Sequence, residues 1–277
     1  MHSVVRGFRE SQGVFEVATP SQARLIVEAG AYERPGEALG PAPMELMLAS
    51  LVTCAGSTVD AVLAKMRFEV AGLNVVADAV RAEQTPRVYT SIDLEFHVAS
   101  EAPEGRLLHA IGVTERTCSA SVMLAQSTDL SARLVHVRRV QPAETRPLRK
   151  LVLRPHQSLD ELAAEEDPSA SWFGAVVAGE VVGSVSLAPE SSPDVSDATN
   201  PFRLRSMATT DRMRGRGLGR VLLTVALDHV GSLGGDLVWC SARVPAAGFY
   251  LRAGFVEVSE PYELEHIGPH VRMVLRL

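Results

Sequence analysis

The chain is poor in several things, and each shortage narrows what it can be. It has three cysteines in 277 residues, too few for a disulfide scaffold, and none lies in a Cys-x-x-Cys zinc pattern. Any cysteine chemistry is therefore expected to be catalytic rather than structural. The opening, Met1-His2-Ser3-Val4-Val5-Arg6, has no apolar stretch of signal-peptide type. The longest uncharged apolar run, Leu46 to Val59, has 14 residues broken by Ser, Thr and Gly, which reads as too short to span a bilayer. Excess positive charge is missing too. The formal net charge of −6 argues against nucleic acid as a partner. These absences lead to the expectation of a cytoplasmic protein with no membrane and no nucleic-acid partner. The chain is long enough for one large or two ordinary domains.

Against the acidic whole, one stretch is strongly basic: Met213-Arg214-Gly215-Arg216-Gly217-Leu218-Gly219-Arg220, with Arg212 just before it. The apolar segment Phe202 to Ala208 upstream reads as a strand. Downstream, Leu218, Leu222, Val225 and Ala226 have the spacing of one helix face. A glycine-rich turn thus opens a helix, where unpaired N–H groups and the positive dipole end suit phosphate. Glycines let a phosphate approach the backbone closely. The stretch is neither a P-loop nor a dinucleotide fingerprint. A plain strand-to-helix turn with solvated arginines would have the same composition.

Arg214-x-x-Gly217-x-Gly219 resembles the pyrophosphate signature of the GNAT acetyltransferases. Two later segments agree. Phe249-Tyr250-Leu251-Arg252-Ala253-Gly254-Phe255 is similar to a second hallmark of that family, and Gly268-Pro269-His270-Val271-Arg272-Met273 to the tail of one subgroup. Leu148 to Pro155 is similar to the subgroup's opening. The resemblance implies acetyl-CoA as acyl donor, lying along the strand that ends at Met207 and Ala208. Its pyrophosphate would be held by Arg214, Gly215, Arg216, Gly217, Leu218, Gly219 and Arg220. It also implies direct transfer to an amine acceptor of unknown identity, with Tyr250 protonating the leaving thiolate. The alternative for Tyr250 is an aromatic anchor that packs a helix on the sheet. Glu180, Glu263 and Glu265 are possible bases and none stands out. Cys240 reads as a core strand residue. His266 and His270 have ligand-like spacing, but Gly268-Pro269 breaks any helix between them, so no metal is expected.

The first half reads differently. Val14 to Val17 and Ala23 to Val27 are strand-like pieces, with turns at Gly30, Pro35, Gly36, Gly40 and Pro41. Pro43 starts a helix running to about Met66, apolar nearly all round and so expected to be buried on all sides. Leu73 to Arg81 is a strand. Val88 to Val98 alternates, with Ile92, Leu94, Phe96 and Val98 facing the core and Asp93, Glu95 and His97 facing solvent. A helix follows over Pro103 to Thr114, and Thr117-Cys118-Ser119 opens a short one with Val122 and Leu124 turned inward. Cys54, mid-helix, gains nothing from a helix dipole and would need a cation to become thiolate. Cys118 sits at a helix start, where the dipole favours the thiolate. Read from residues alone, the two are either buried small hydrophobes or a peroxide-reducing pair.

Gly40-Pro41-Ala42-Pro43-Met44-Glu45 through Cys54 resembles the signature of the OsmC/Ohr thiol hydroperoxide reductases, and Thr117-Cys118-Ser119-Ala120-Ser121 its second cysteine motif. The resemblance implies Cys54 as peroxidatic and Cys118 as resolving residue, with Glu45 and Arg34 holding the thiolate. It implies organic hydroperoxide as substrate, a dithiol reductant of unknown identity, and an intertwined homodimer formed through this half.

The expected architecture is therefore α+β in two domains, 1–134 OsmC-like and 135–277 GNAT-like, with a mixed sheet flanked by helices in the second. No low-complexity linker lies between Leu130 and Leu151. Arg133 to Val140 reads as a strand and Pro142 to Val152 as a helix. Phe173 to Val177 and Val181 to Leu187 read as a hairpin, and Asp160 to Asp167 as a solvated acidic run. Three functional readings remain open: two enzymes, a transferase whose first half only dimerises or binds a ligand, or an acyl-CoA sensor that regulates the first half.

Overall fold

A computed structural model describes residues 3–277. Strands β1 (Arg6–Ser11), β2 (Val14–Ala18) and β3 (Arg24–Glu28) form a separate antiparallel sheet, and β1 is exposed along its whole length. Then come α1 (Pro43–Lys65), β4 (Gly72–Arg81), β5 (Tyr89–Ala99), α2 (Glu104–Thr117), α3 (Ser119–Leu124) and β6 (Asp129–Arg139). The second half contains α4 (Pro142–Val152), α5 (Leu159–Ala164), β7 (Ser171–Val177), β8 (Glu180–Pro189), β9 (Pro201–Thr209), α6 (Leu218–Ser232), β10 (Leu237–Arg243), α7 (Ala247–Arg252), β11 (Val256–Glu257), β12 (Tyr262–Leu264) and β13 (Gly268–Arg276). The expected hairpin, the Phe202 strand and both flanking helices are present.

One sheet runs through both halves, in the order β11-β13-β10-β9-β8-β7-β6-β5-β4, with β12 paired to β13. Strand β6 is the join. Asp129 to Val137 pair in parallel with Ser91 to Ala99 of β5, and His136 to Arg139 pair antiparallel with β7. Only His136 and Val137 are bonded on both sides. The strand read over Arg133 to Val140 is thus the second part of one continuous strand shared by both halves.

Helix α1 starts as its sequence dictates. Pro43 occupies the first turn, and the Glu45 carboxylate accepts the Ala42 N–H at 2.7 Å. Its buried stripe is Leu51, Ala55, Val59 and Leu63, four residues apart, packed with Ile92, Leu94, Phe96, Leu107 and Cys118. Each large member contributes about 1.5–3 kcal/mol by burial. The expectation of burial on all sides fails, because α2, α3 and β4 cover one stripe only. Met47 is 42% exposed. By length and composition α1 is apolar enough to cross a membrane, and packing of the Leu51–Leu63 stripe accounts for part of that character. In α3 Leu124 packs part-buried against the core as expected and Ser121 is buried, while Val122 is exposed.

The alternation in β5 also fails at one end. Glu95 and His97 are 1% and 0% exposed, although they lie on the face read as solvated. The reason is α6, which lies across β4, β5, β7, β8 and β9 and so roofs the first half's sheet as well as its own. The roof brings charge with it. His97 Nε2 lies 2.6 Å from Glu95 Oε1, Arg133 Nε lies 2.7 Å from Oε2, and Arg216 Nε approaches Oε1 at 3.3 Å. Arg216 also reaches Asp78 at 2.9 Å. Asn74 Nδ2 donates to Arg216 O at 2.9 Å and lies 3.0 Å from His97 Nδ1. That leaves His97 Nδ1 as acceptor and its proton on Nε2, donated to Glu95.

Burial raises the Glu95 pKa, but hydrogen bonds from His97 and Arg133 outweigh it and bring the carboxyl from 4.5 down to about 2. A folded pKa below the unfolded one stabilises the fold above the unfolded value. That stability is lost as pH falls from 4.5 towards 2, and it amounts to roughly 3 kcal/mol. Urea unfolding should therefore find Glu95→Gln less stable by about that much at pH 7, and the gap to wild type should close as the pH falls through this window. A gap independent of pH would show that Glu95 is not held ionised by its partners.

Candidate functional site

Two regions carry chemistry. The first is the thiol pair. Cys54, mid-way along α1, and Cys118, in the turn joining α2 to α3, place their Sγ atoms 3.1 Å apart. Residues 64 apart in sequence meet because α2 and α3 fold back against α1. Cys118 is buried and Cys54 half-buried. Burial raises the Cys118 pKa, but hydrogen bonding from the Ser121 hydroxyl, the Cys54 thiol and the N–H groups of Ser121 and Ala120 brings it below the ordinary thiol value. Among the described residues the buried Ser121 hydroxyl has no settled hydrogen-bond partner, so it is free to turn towards the sulfur.

The second region is a split in the sheet. Strands β9 and β10 pair in parallel only from Pro201–Leu237 to Arg203–Trp239. Beyond this point β9 stays with β8 and β10 with β13, so the two strands part. A bulge marks the β8–β9 register between Ser184 and Ser186; Ser206 there has φ 55°, and its carbonyl accepts from Ser184 Oγ at 2.8 Å. The split opens into a cleft of about 300 Å³, floored by Leu204 to Met207 and Cys240 to Arg243 and bounded by α4, α5 and Tyr250.

Helix α6 begins close by. Gly217 caps it at φ 79°, and Gly215 has φ 73°. Among the described residues, the five N–H groups from Gly215 to Gly219 have no protein acceptor. A row of free donors at a helix start is a site for an anion. At Gly217 a Cβ would also lie 2.9 Å from Asn74 Nδ2, so glycine is required there by conformation and by space.

Comparison with known proteins agrees with this geometry. The family model for "Acetyltransferase (GNAT) family" matches residues 137–255, and the one for "OsmC-like protein" matches residues 36–133. YitI of Bacillus subtilis, named an uncharacterized N-acetyltransferase, is 32% identical over 142 residues, which cover 50% of this chain and 95% of YitI. The chain belongs to the GNAT acetyltransferases and carries an OsmC-like domain ahead of that domain. Protein YhfA of Escherichia coli K12 is 29% identical over 93 residues, 33% of this chain and 69% of YhfA. A crystal structure of an OsmC like protein from Mycoplasma pneumoniae aligns with a TM-score of 0.44 at 15% identity, over 49% of this chain and 97% of the other.

The residues expected in the GNAT domain are only partly together. Met207 and Tyr250 line the cleft, and Ala208 lies in the sheet, paired with Ser184. Tyr250 is buried among Phe249 and Phe255, and burial, then Cys240, pushes its hydroxyl far above the ordinary phenol value. Cys240 is a core residue whose thiol burial pushes to about 12. Arg216 departs from expectation. Its side chain is turned to Asp78 and Glu95 of the OsmC-like domain through Nη1 and Nε, so its backbone N–H is the donor it shares with the loop. Arg214 pairs with Asp211 at 3.0 Å. Glu180, Glu263 and Glu265 are exposed and none lines the cleft; its acids are Glu165 and Asp167. Those two belong to the run read as solvated; its Asp160, Glu161 and Glu165 are exposed, while α5 takes up its first half with Leu162 buried, and Glu166 is held by Arg146 and Arg149 at 2.7 and 2.8 Å.

In the OsmC-like domain, the expected partners of the thiolate are elsewhere. Arg34 pairs with the buried Glu28, and Glu45 caps α1, so within one chain neither bonds to Cys54. The polar support lies at Cys118 instead. Removing it should be measurable: Ser121→Ala should move the first thiolate titration to higher pH, followed by ultraviolet thiolate absorbance. An unchanged titration would mean that the hydroxyl does not hold the thiolate.

Proposed function

We propose that the C-terminal half transfers an acetyl group from acetyl-CoA to an amine, and that the OsmC-like half reduces organic hydroperoxides through Cys54 and Cys118. The split sheet beside five unpaired N–H donors carries the first reading. The 3.1 Å sulfur contact carries the second.

Acetyl-CoA supplies the activated acyl group. The N–H groups of Gly215 to Gly219 suit its pyrophosphate, and the unpaired edges of β9 and β10 offer backbone partners for its extended arm. Arg216 O and side chain fix the loop in place, so these donors need no rearrangement to bind. Tyr250 Oη stays protonated far above neutral pH, as a proton donor to the departing thiolate must.

In the other half, Cys54 is the more accessible sulfur and meets the peroxide. Its thiolate attacks the distal oxygen of ROOH, giving Cys54 sulfenic acid and ROH. The Cys118 thiolate then attacks that sulfur, releasing water and forming a disulfide, which an external dithiol reduces. A sulfur at 3.1 Å needs to move only about 1 Å to reach bonding distance. The cation that Cys54 requires fits a homodimer in which the partner lines the site. The uncovered apolar face of α1 and the exposed Phe8 and Phe15 of the β1–β3 sheet support such a dimer. We place this activity in the cytoplasm, where a dithiol donor is available.

The second reading keeps the OsmC-like half as a dimerisation or ligand-binding module. It is favoured by the separation of Arg34 from Cys54. Titration with tert-butyl hydroperoxide, with thiols counted by mass spectrometry after alkylation, decides between them. Loss of two thiols to a Cys54–Cys118 disulfide, abolished in Cys54→Ser, is expected. Two intact thiols under excess peroxide would leave only the module. For the transferase half, Tyr250→Phe should slow acetylation by about 10²-fold or more while leaving acetyl-CoA binding intact.

A further inference from the structure

The cleft holds more positive charge than its surroundings neutralise. Arg149, Arg154, Arg203, Arg205 and Arg243 line it, against Glu165 and Asp167. Three of the arginines are matched: Arg149 bonds to Glu166 at 2.8 Å, and Arg203 and Arg205 share Glu190 at 2.7 and 2.8 Å. Both acids are engaged, Asp167 with Ser169 N–H and hydroxyl, Glu165 with Gln157.

Arg154 and Arg243 are left over. They come from just beyond the C-terminus of α4 and from the end of β10, and both donate to one oxygen, the Leu153 carbonyl, at 3.3 and 2.8 Å. Among the described residues neither has a carboxylate in ion-pair contact. Burial, and the nearby Arg243, Arg149 and Arg205, make the Arg154 guanidinium a stronger acid than usual, with Glu165 as the opposing charge. Two more donors in the lining residues, Trp172 Nε1 and Arg203 Nε, are buried without an acceptor. Two guanidiniums on a single carbonyl have unused donors in a planar fork, the geometry that suits a carboxylate or a phosphate. Residues 214–220 do not line this cleft, so the anion it calls for is distinct from the pyrophosphate of the donor.

We propose that the acyl acceptor carries a carboxylate or phosphate group near its amine, and that Arg154 and Arg243 clamp that group. This rests on the transferase reading above. Purely cationic amines such as diamines are repelled by the same charge. An anion shared by two guanidiniums also orients the acceptor, leaving its amine towards Tyr250 and the split between the strands.

The test is a panel of amino acids, their amides, aminoalkyl phosphates and diamines, with acetyl-CoA and the full-length protein, scored by release of free CoA thiol. Acids or phosphates should exceed the matching neutral amines by about tenfold or more in kcat/KM. Comparing the two anionic arms identifies which anion is used. Arg154→Gln and Arg243→Gln should each raise KM for the anionic amine and erase the preference, leaving KM for acetyl-CoA unchanged. Arg154→Lys, which keeps the charge and loses the fork, should fall between. Amides or diamines accepted equally well, or a preference that survives both glutamine variants, would overturn the proposal. If no amine in the panel is acetylated, calorimetric titration of the same anions decides it: binding weakened by either variant upholds the clamp, and no binding rejects it. Failure to bind acetyl-CoA would instead remove the transferase reading, and the anion titration would still decide the clamp.

Discussion

A buried carboxylate ties the protein together. Glu95 belongs to the OsmC-like half and is 1% exposed, yet it stays ionised because His97, Arg133 and Arg216 surround it. An ion this deep is costly to bury and becomes tolerable only when each oxygen is satisfied. Arg216 is part of the glycine-rich loop of the GNAT half. The loop that offers donors to an anion is therefore held by a charge in the other half, and its neighbour Gly217 lies so near Asn74 that no side chain fits between. The two halves are thus coupled through packing and electrostatics at the point where the glycine-rich loop meets α6.

Much of this was legible in the sequence, and the failures share one cause. The glycine spacing, the Phe-Tyr-x-x-x-Gly-Phe segment and both cysteine motifs encode local backbone needs, which a linear pattern records. So does the Pro43 start of α1. Glu95 and His97 were misread because alternation on β5 reports what a strand needs, while α6, more than a hundred residues later, decides what covers it. The side-chain partners of Arg216 were hidden for the same reason. As one of four clustered arginines it looked like a phosphate ligand, and only the fold reveals Asp78 and Glu95 opposite it. Arg154 and Arg243 gave no signal at all, being far apart in the chain and unremarkable until both meet at Leu153 O.

The thiol pair shows a different limit. Sequence spacing could not bring Cys54 and Cys118 together, and the fold does so at 3.1 Å. Cys118 gathers the support that its place at a helix start implies, whereas the support that the resemblance implies for Cys54 is not found within one chain. The polar groups gather at Cys118, while Arg34 and Glu45 serve local structure around β3 and the start of α1. Helix α1 keeps four residues in its buried stripe and leaves apolar residues such as Met47 exposed.

Strand β6 has one more consequence. It gives its first nine residues to β5 and its last four to β7, overlapping at His136 and Val137. Either half made alone would end in a strand with unpaired N–H and carbonyl groups along one edge, a template for association with other chains. Inheritance of the two halves as one polypeptide hides both edges at once, so recombination that separated them at this point would have to invent a new way to blunt each edge.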